Sequence, residues 1–360
     1  MQGNHFSIRR QKLAEQFGEQ KIDAFFVTSA PNVRYLTGFT GSNGQLLVFP
    51  DEAYFFTDPR YRLQSAQQVN CKITIASGPL WPRILAVLNK RKVRQLGFES
   101  HHLNFWNYQL MRAGVSLKTE LRSVTGLVER LRMTKSPEEI RLIRAAVATN
   151  SAAFELAVKA IRPGIREIEL AAEIEYRMRG LGAEKAAFDT IVAFGERTAL
   201  PHAQPGPTAL KRGQLVLIDM GAMREGYSSD MTRMLHLGRA PRKLRQMYDA
   251  VLEAQLAAVA AVRPGVTAAH VDQMARKVLK SAGLDKLFVH STGHGLGLEI
   301  HEPPRVGRKD MTRLGQGMAI TIEPGVYLSG FGGIRIEDTL VVTETGCEVL
   351  TQTPKLMREI

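Results

Sequence analysis

Cysteine is nearly absent: Cys71 and Cys347, far apart in the chain, are all there is in 360 residues. Two thiols cannot form a disulfide framework or a thiolate zinc site, and a reducing compartment is the default setting for such a chain. Long apolar runs are missing too. The longest, Leu256 to Val262, has seven residues, where a membrane helix needs roughly 18 or more. No apolar stretch follows the basic residues near the N-terminus, so no signal-peptide pattern is visible and a cytoplasmic location is expected. Acid is scarce relative to base: 35 Asp and Glu against 48 Lys and Arg leave a net charge of +13. Such a surplus raises nucleic acid or an acidic membrane as partners. The basic residues are scattered, however, and the densest group, Lys90-Arg91-Lys92-Val93-Arg94, reads as the polar end of a helix. Neither partner is expected.

What is present is the composition of a globular protein, 44% apolar and 23% charged, with length for two domains. The first 120 residues alternate helical and strand patterns. Phe6 to Phe17 has helical spacing, Ile22 to Val27 reads as a strand, and Leu46–Phe49 and Ala53–Phe56 are two apolar runs split by Pro50 and Asp51. Helices near 61–69, 81–90 and 104–113 and strands near 73–75 and 95–98 continue the alternation, which predicts an α/β domain. The glycine-rich stretch Gly38 to Gly44 lacks the residues of a phosphate loop and reads as a turn. Leu121 to Met133 reads as a connecting helix. Ser136-Pro137-Glu138-Glu139 then opens a long helix, with Ser136 as cap and Pro137 in the first turn. The expected domains are 1–125 and 126–360.

The second part contains an internal echo. Ala160-Ile161-Arg162-Pro163-Gly164-Ile165 returns as Ala261-Val262-Arg263-Pro264-Gly265-Val266, each between two helical patterns. Downstream of each copy comes a histidine, His202 or His301. An apolar strand ending in acid-x-Gly follows, Asp219-Met220-Gly221 in one half and Glu323-Pro324-Gly325 in the other. A further acid completes each half, Asp230 and Glu337. Halves related by a pseudo-twofold axis would bring these four carboxylates to one centre.

An acid at the end of a buried strand is costly to bury alone, and a bound cation removes that cost. A fifth donor comes from the segment Val289 to His301, where His290, His294 and His301 stand among three closely spaced glycines. The glycines predict irregular backbone, with one histidine a ligand and the other two facing substrate. Four carboxylates and one neutral imidazole balance two divalent cations. Oxygen-rich ligation without thiolate favours Mn, Co or Fe, with Zn or Mg able to enter. Such a centre acidifies water for attack on a carbonyl. Glu323 could shuttle the proton, and His202 and His301 could donate hydrogen bonds. The loop from Gly195 to Pro207 would present His202.

With these residues in view, the chain resembles the pita-bread metallopeptidases: aminopeptidase P, prolidase and methionine aminopeptidase. The resemblance rests on Ala199-Leu200-Pro201-His202, Ser291-Thr292-Gly293-His294-Gly295, Ile322-Glu323-Pro324-Gly325 and Arg335-Ile336-Glu337-Asp338. It implies an α+β pita-bread catalytic domain with internal pseudo-twofold symmetry. It also implies Asp219, Asp230, His294, Glu323 and Glu337 as metal ligands, and functional roles for His202, His290, His301 and Arg335. Residues 1–120 are similar to the creatinase/prolidase N-terminal domain, which methionine aminopeptidases lack. Creatinase shares the fold without the ligands, and here all five are present. The implied activity is hydrolysis of the bond before proline in peptides, by a homodimer holding two divalent ions, Mn first.

Two subtypes share that site. A strict dipeptidase must hold proline's free carboxylate with a fixed cation; Arg305, Arg308 and Arg313 are placed in sequence to supply one. An aminopeptidase needs an open exit instead. Tyr35 to Ser42 and Thr57 to Tyr61 are similar to stretches of aminopeptidase P, and the sequence is read as that subtype, with the dipeptidase as alternative.

Overall fold

The apolar run Ala24-Phe25-Phe26-Val27 is fully buried and forms strand β1 (Ala24–Val27) in the middle of a six-stranded sheet. The computed structural model describes residues 4–360. The sheet has the order β4-β3-β2-β1-β5-β6, from β2 (Gly44–Val48), β3 (Ala53–Thr57), β4 (Lys72–Ile75), β5 (Gln95–Glu99) and β6 (Glu120–Val124). Pairing is mixed: β1 runs antiparallel to β2 and parallel to β5. Helices α1 (Asn4–Ala14), α2 (Phe17–Gln20), α3 (Ala30–Thr37), α4 (Arg62–Gln68), α5 (Trp81–Lys90) and α6 (Phe105–Gly114) complete this unit. Ile84 and Leu88 of α5 and Met111 of α6 pack with Phe26, Leu47 and Phe56 of the strands. The α/β expectation holds here.

The connecting helix is shorter than expected. Residues 120–124 are instead β6, paired in parallel with β5 from Gln95 to Glu99. The free edge of β5 offers unpaired backbone groups, and pairing them outweighs a weak helical periodicity. Gly126, at φ +68°, turns the chain into α7 (Leu127–Met133). The division between the two compact units falls after Arg132 rather than after 125. The reason is α7 itself: Asn32 of α3 donates to Glu129 at 2.6 Å and accepts from Arg132 at 2.6 Å.

The second unit, Met133–Ile360, opens on α8 (Pro137–Ala157), whose start is a capping box between Ser136 and Glu139. Then come α9 (Glu167–Gly180), β7 (Lys185–Ala186), β8 (Ile191–Phe194), β9 (Leu215–Met220), β10 (Ala222–Arg224), β11 (Tyr227–Ser228) and β12 (Met231–His236). The second half repeats the plan: α10 (Arg242–Ala261), α11 (Ala268–Ser281), β13 (Gly293–Gly295), β14 (Glu302–Val306), β15 (Ala319–Ile322), β16 (Gly325–Leu328), β17 (Gly332–Arg335), β18 (Asp338–Val342), β19 (Cys347–Val349) and β20 (Arg358–Glu359). A four-stranded sheet has the order β20-β12-β9-β8 and a five-stranded one β14-β13-β15-β18-β19, beside the smaller β11-β10-β7 and β16-β17.

The echo in the sequence is an echo in backbone bonding. Gly164 N–H donates to Leu210 and Leu210 N–H to Ile165; Gly265 N–H donates to Leu314 and Leu314 N–H to Val266. Both glycines have positive φ, +90° and +83°, which explains the repeated Pro-Gly. Each half has a strand between two antiparallel neighbours, β9 between β8 and β12, and β15 between β13 and β18. Strand β9 is buried on both faces: Val216 and Ile218 enter one core, with α8 and α9, while Leu215 and Leu217 enter the other, with α10 and α11. Period-two alternation puts Asp219 on the latter face, toward the second half. No helix among the described residues is long and apolar enough to cross a membrane.

Candidate metal centre

Asp219 sits near the end of β9, paired with Ile191 and Thr232, and Asp230 immediately precedes β12. From the other half, Glu323 follows β15 and Glu337 lies between β17 and β18. His294 is the middle residue of β13. A Cβ at Gly293 would come within 1.9 Å of Thr321 O, and one at Gly295 within 2.3 Å of Pro303 O. Glycine on both sides is therefore what lets this strand lie close enough to β15 and β14 to carry His294 inward.

Donor atoms of Asp230, His294 and Glu337 all lie within 4.8 Å of one another. His294 Nε2 is 3.5 Å from Asp230 Oδ2 and 3.4 Å from Glu323 Oε1. Its Nδ1 is 3.0 Å from Gly295 O. A neutral ring donates there, which leaves the Nε2 lone pair facing the carboxylates. Burial lowers the pKa of His294 and keeps that neutral form.

Asp230, Glu337 and Glu323 resist their own charge. Burial, followed by the charges of Asp219 and Glu323, raises Asp230 well above the ordinary value. Burial, followed by Asp230, Glu323 and Asp219, does the same to Glu337. Burial brings Glu323 to about 7. Asp219 Oδ1 and Glu337 Oε1 are buried with no hydrogen-bond partner, although native structures seldom leave such atoms unpaired. The opposite oxygens are held: Arg335 Nη2 donates to Asp219 Oδ2 at 2.5 Å, and Thr232 Oγ1 donates to Glu337 Oε2 at 2.7 Å. Each of these two acids is thus fixed by one oxygen and offers the other. An oxygen-rich donor set with one imidazole, crowded charge and two unsatisfied oxygens fits divalent metal.

The centre opens on a cleft of about 770 Å³. His202 and His301 are exposed on its wall; the His301 ring lies 4.4 Å from that of His294. Burial, then His294 and His202, lowers the pKa of His301. His290 is more deeply bound. Burial, then Arg335, brings it to about 4, so its neutral Nδ1–H donates to Ser291 O at 2.7 Å. Its Nε2 then accepts from Tyr327 OH at 2.9 Å, and that oxygen accepts from Arg335 Nη1 at 2.7 Å.

Several supporting residues carried no signal in the sequence. Tyr327 is one, with burial raising its pKa to about 12. Arg335 Nε donates to Thr232 Oγ1 at 3.0 Å, which joins Asp219, Thr232 and Glu337 through one guanidinium. An acid on the second helix of each half clamps a histidine-bearing segment. Glu167 accepts from Phe194 N, Gly206 N and Arg197, holding the loop of His202. Asp272 accepts from Thr292 N and Oγ1 and pairs with Arg276, which donates to His290 O at 2.6 Å. Of the three candidate arginines, Arg305 lines the cleft, while Arg308 and Arg313 do not.

Fold and donor set together define a metal-dependent hydrolase. The chain belongs to metallopeptidase family M24, whose pattern covers residues 141–344, and residues 9–134 match the Creatinase/Prolidase N-terminal domain. It is 39% identical over 348 residues to the Xaa-Pro dipeptidase of Pyrococcus furiosus, covering 96% of this chain and 98% of that one. Among solved structures, the Xaa-Pro dipeptidase from Bacillus anthracis matches with a TM-score of 0.96 at 38% identity, over 99% of this chain and 100% of the other. The X-Pro aminopeptidase from Thermotoga maritima matches with 0.89 at 34%, over 94% and 98%.

Proposed function

We propose that the protein is an Xaa-Pro dipeptidase, with Asp219, Asp230, His294, Glu323 and Glu337 holding two divalent ions, Mn first and Co, Zn or Fe as substitutes. The observation that carries the metal assignment is the meeting of Asp230, His294 and Glu337 within 4.8 Å, beside two buried carboxylate oxygens without partners. Four carboxylates at −4 balance two cations at +4. A cytoplasmic homodimer acting on proline-containing peptides completes this reading.

Metal bound there supplies Lewis acidity and lowers the pKa of water near the scissile carbonyl. The chain's own groups do the rest. Arg335 and Thr232 fix Asp219 and Glu337, so the donors are oriented before substrate enters. Glu323 takes a proton from the attacking water and returns it to the proline nitrogen as the C–N bond breaks. His202 and His301 donate hydrogen bonds to the oxygen that gains charge. Tyr327 and Arg276 hold His290 as part of the wall. Arg305, at the cleft edge, pairs with the free carboxylate of proline.

Arg305 and the dipeptidases among the relatives favour this subtype over the aminopeptidase read from the sequence. The aminopeptidase remains the second reading because Arg305 is exposed. A longer peptide therefore strands no buried cation. The test is hydrolysis of Ala-Pro. Chelation should abolish it, Mn should restore it, and Arg305→Ala should raise KM for Ala-Pro several-fold. Activity that persists after exhaustive chelation refutes the metal assignment, and an unchanged KM moves the subtype to aminopeptidase.

A further inference from the structure

The two acids that meet His294 are each held by the other's half of the chain. Thr232, two residues after Asp230, donates through Oγ1 to Glu337 Oε2 at 2.7 Å, and its carbonyl accepts from Glu337 N at 3.3 Å. Thr339, two residues after Glu337, returns the contact. Its Oγ1 accepts from Asp230 N at 3.3 Å and donates to Asp230 O at 2.9 Å. Both threonines are fully buried.

Arg233 breaks this symmetry. The matching position of the second half, three residues after Glu337, is Leu340. Arg233 is buried, and its whole guanidinium fork is engaged. Nη1 donates to Thr232 O at 3.0 Å and to Glu337 O at 2.5 Å. Nη2 donates to Asp338 Oδ1 at 2.8 Å and to Thr353 O at 2.7 Å, and Nε donates to Pro354 O at 3.1 Å. A guanidinium has five N–H donors, and here each has an acceptor. The other oxygen of Asp338 is met by Gln255 Nε2 at 2.8 Å and Lys355 Nζ at 2.6 Å. The main chain of Glu337 is thus tied to β12 at both its N–H and its carbonyl, while Oε1 is left without a partner.

We infer that Arg233 and Thr339 are positioning residues for the metal centre: each fixes the main chain of a ligand borne by the opposite half, and together they set the distance between Asp230 and Glu337. The inference rests on the metal reading above. Neighbouring carboxylates repel one another once both are charged, and that repulsion would spread the two acids before an ion arrives. A clasp on both backbones keeps the donors close, so an ion does not have to order them as it binds. Arg233 adds what a hydroxyl cannot, a rigid fork that joins Glu337 O to the carboxylate of the next residue.

Equilibrium dialysis of the chelated protein against Mn tests the clasp without any turnover. Arg233→Lys keeps a charge facing Asp338 and loses the fork. Thr339→Val keeps the shape and loses the hydroxyl. Each should bind Mn about 10- to 100-fold more weakly than wild type, the usual size of a lost partner behind a metal ligand. Gln255→Met is the control. It removes a donor from the far oxygen of Asp338 and touches neither Glu337 nor Asp230. It should bind Mn as wild type does, even where urea unfolding of the chelated proteins shows a similar loss of stability. Should Arg233→Lys fail to fold, Thr339→Val alone decides. Wild-type Mn affinity in either folded variant, or an equal loss of affinity in Gln255→Met, overturns the clasp and leaves the metal reading standing. Wild type that takes up no Mn overturns the metal reading and the clasp with it.

Discussion

Glu323 is the residue on which stability and chemistry pull in opposite directions. In the folded chain it titrates near 7, against 4.5 for an ordinary glutamate, because burial disfavours its charge. The folded state therefore keeps a proton that the unfolded state releases. Its contribution to stability is complete below about pH 4.5 and is lost as pH climbs to 7. Glu323→Gln stays neutral throughout. In urea unfolding of chelated protein the variant should match wild type near pH 4.5 and exceed it by on the order of 3 kcal/mol above pH 7. A gap that does not widen with pH would show that Glu323 ionises freely in the fold. Metal reverses the sign: the carboxylate must be charged to bind, so Mn should raise the melting temperature more at pH 7.5 than at pH 5.5.

Strand β13 is held close to its neighbours on both sides. Gly293→Ala would drive a methyl into Thr321 O, so either β13, which carries His294, or β15, which leads into Glu323, must move. We expect a loss of about 1–3 kcal/mol together with reduced Mn content by elemental analysis. Gly180→Ala, at a helix end with nothing within 4 Å, should change neither. If Gly293→Ala binds metal normally, β13 has slack that its packing does not reveal. This element also shows what was legible in advance. Three glycines around His294 read as irregular backbone, whereas Gly293–Gly295 forms a paired strand with one shift of register after His294, and its glycines serve close approach to the neighbouring strands. The repeated Arg-Pro-Gly did announce two halves, because positive φ after proline is a local demand. Asp272, Arg276 and Tyr327 announced nothing: a carboxylate four residues from an arginine reads as an ordinary helix-surface pair, and its hold on Thr292 exists only once distant segments meet. Strand β6 was misread for the same reason, since its pairing with β5 is a long-range fact.

At the scale of the whole molecule the prediction concerns assembly. The family resemblance implies a homodimer, and light scattering at micromolar concentration should give twice the 40.0 kDa of one chain. A mass of one chain would refute it. The +13 charge would favour the solubility of such an assembly through mutual repulsion.

The division of the candidate ligands between two halves has a consequence during synthesis. Asp219 and Asp230 are translated first, and His294, Glu323 and Glu337 follow at least 64 residues later. A nascent chain carrying only the first half has two acids and no partner set, so it can neither concentrate metal nor cut a peptide. Competence switches on only when the last strands arrive and pair. With the candidate ligands divided in this way, a product that stops before Glu323 would lack part of the donor set.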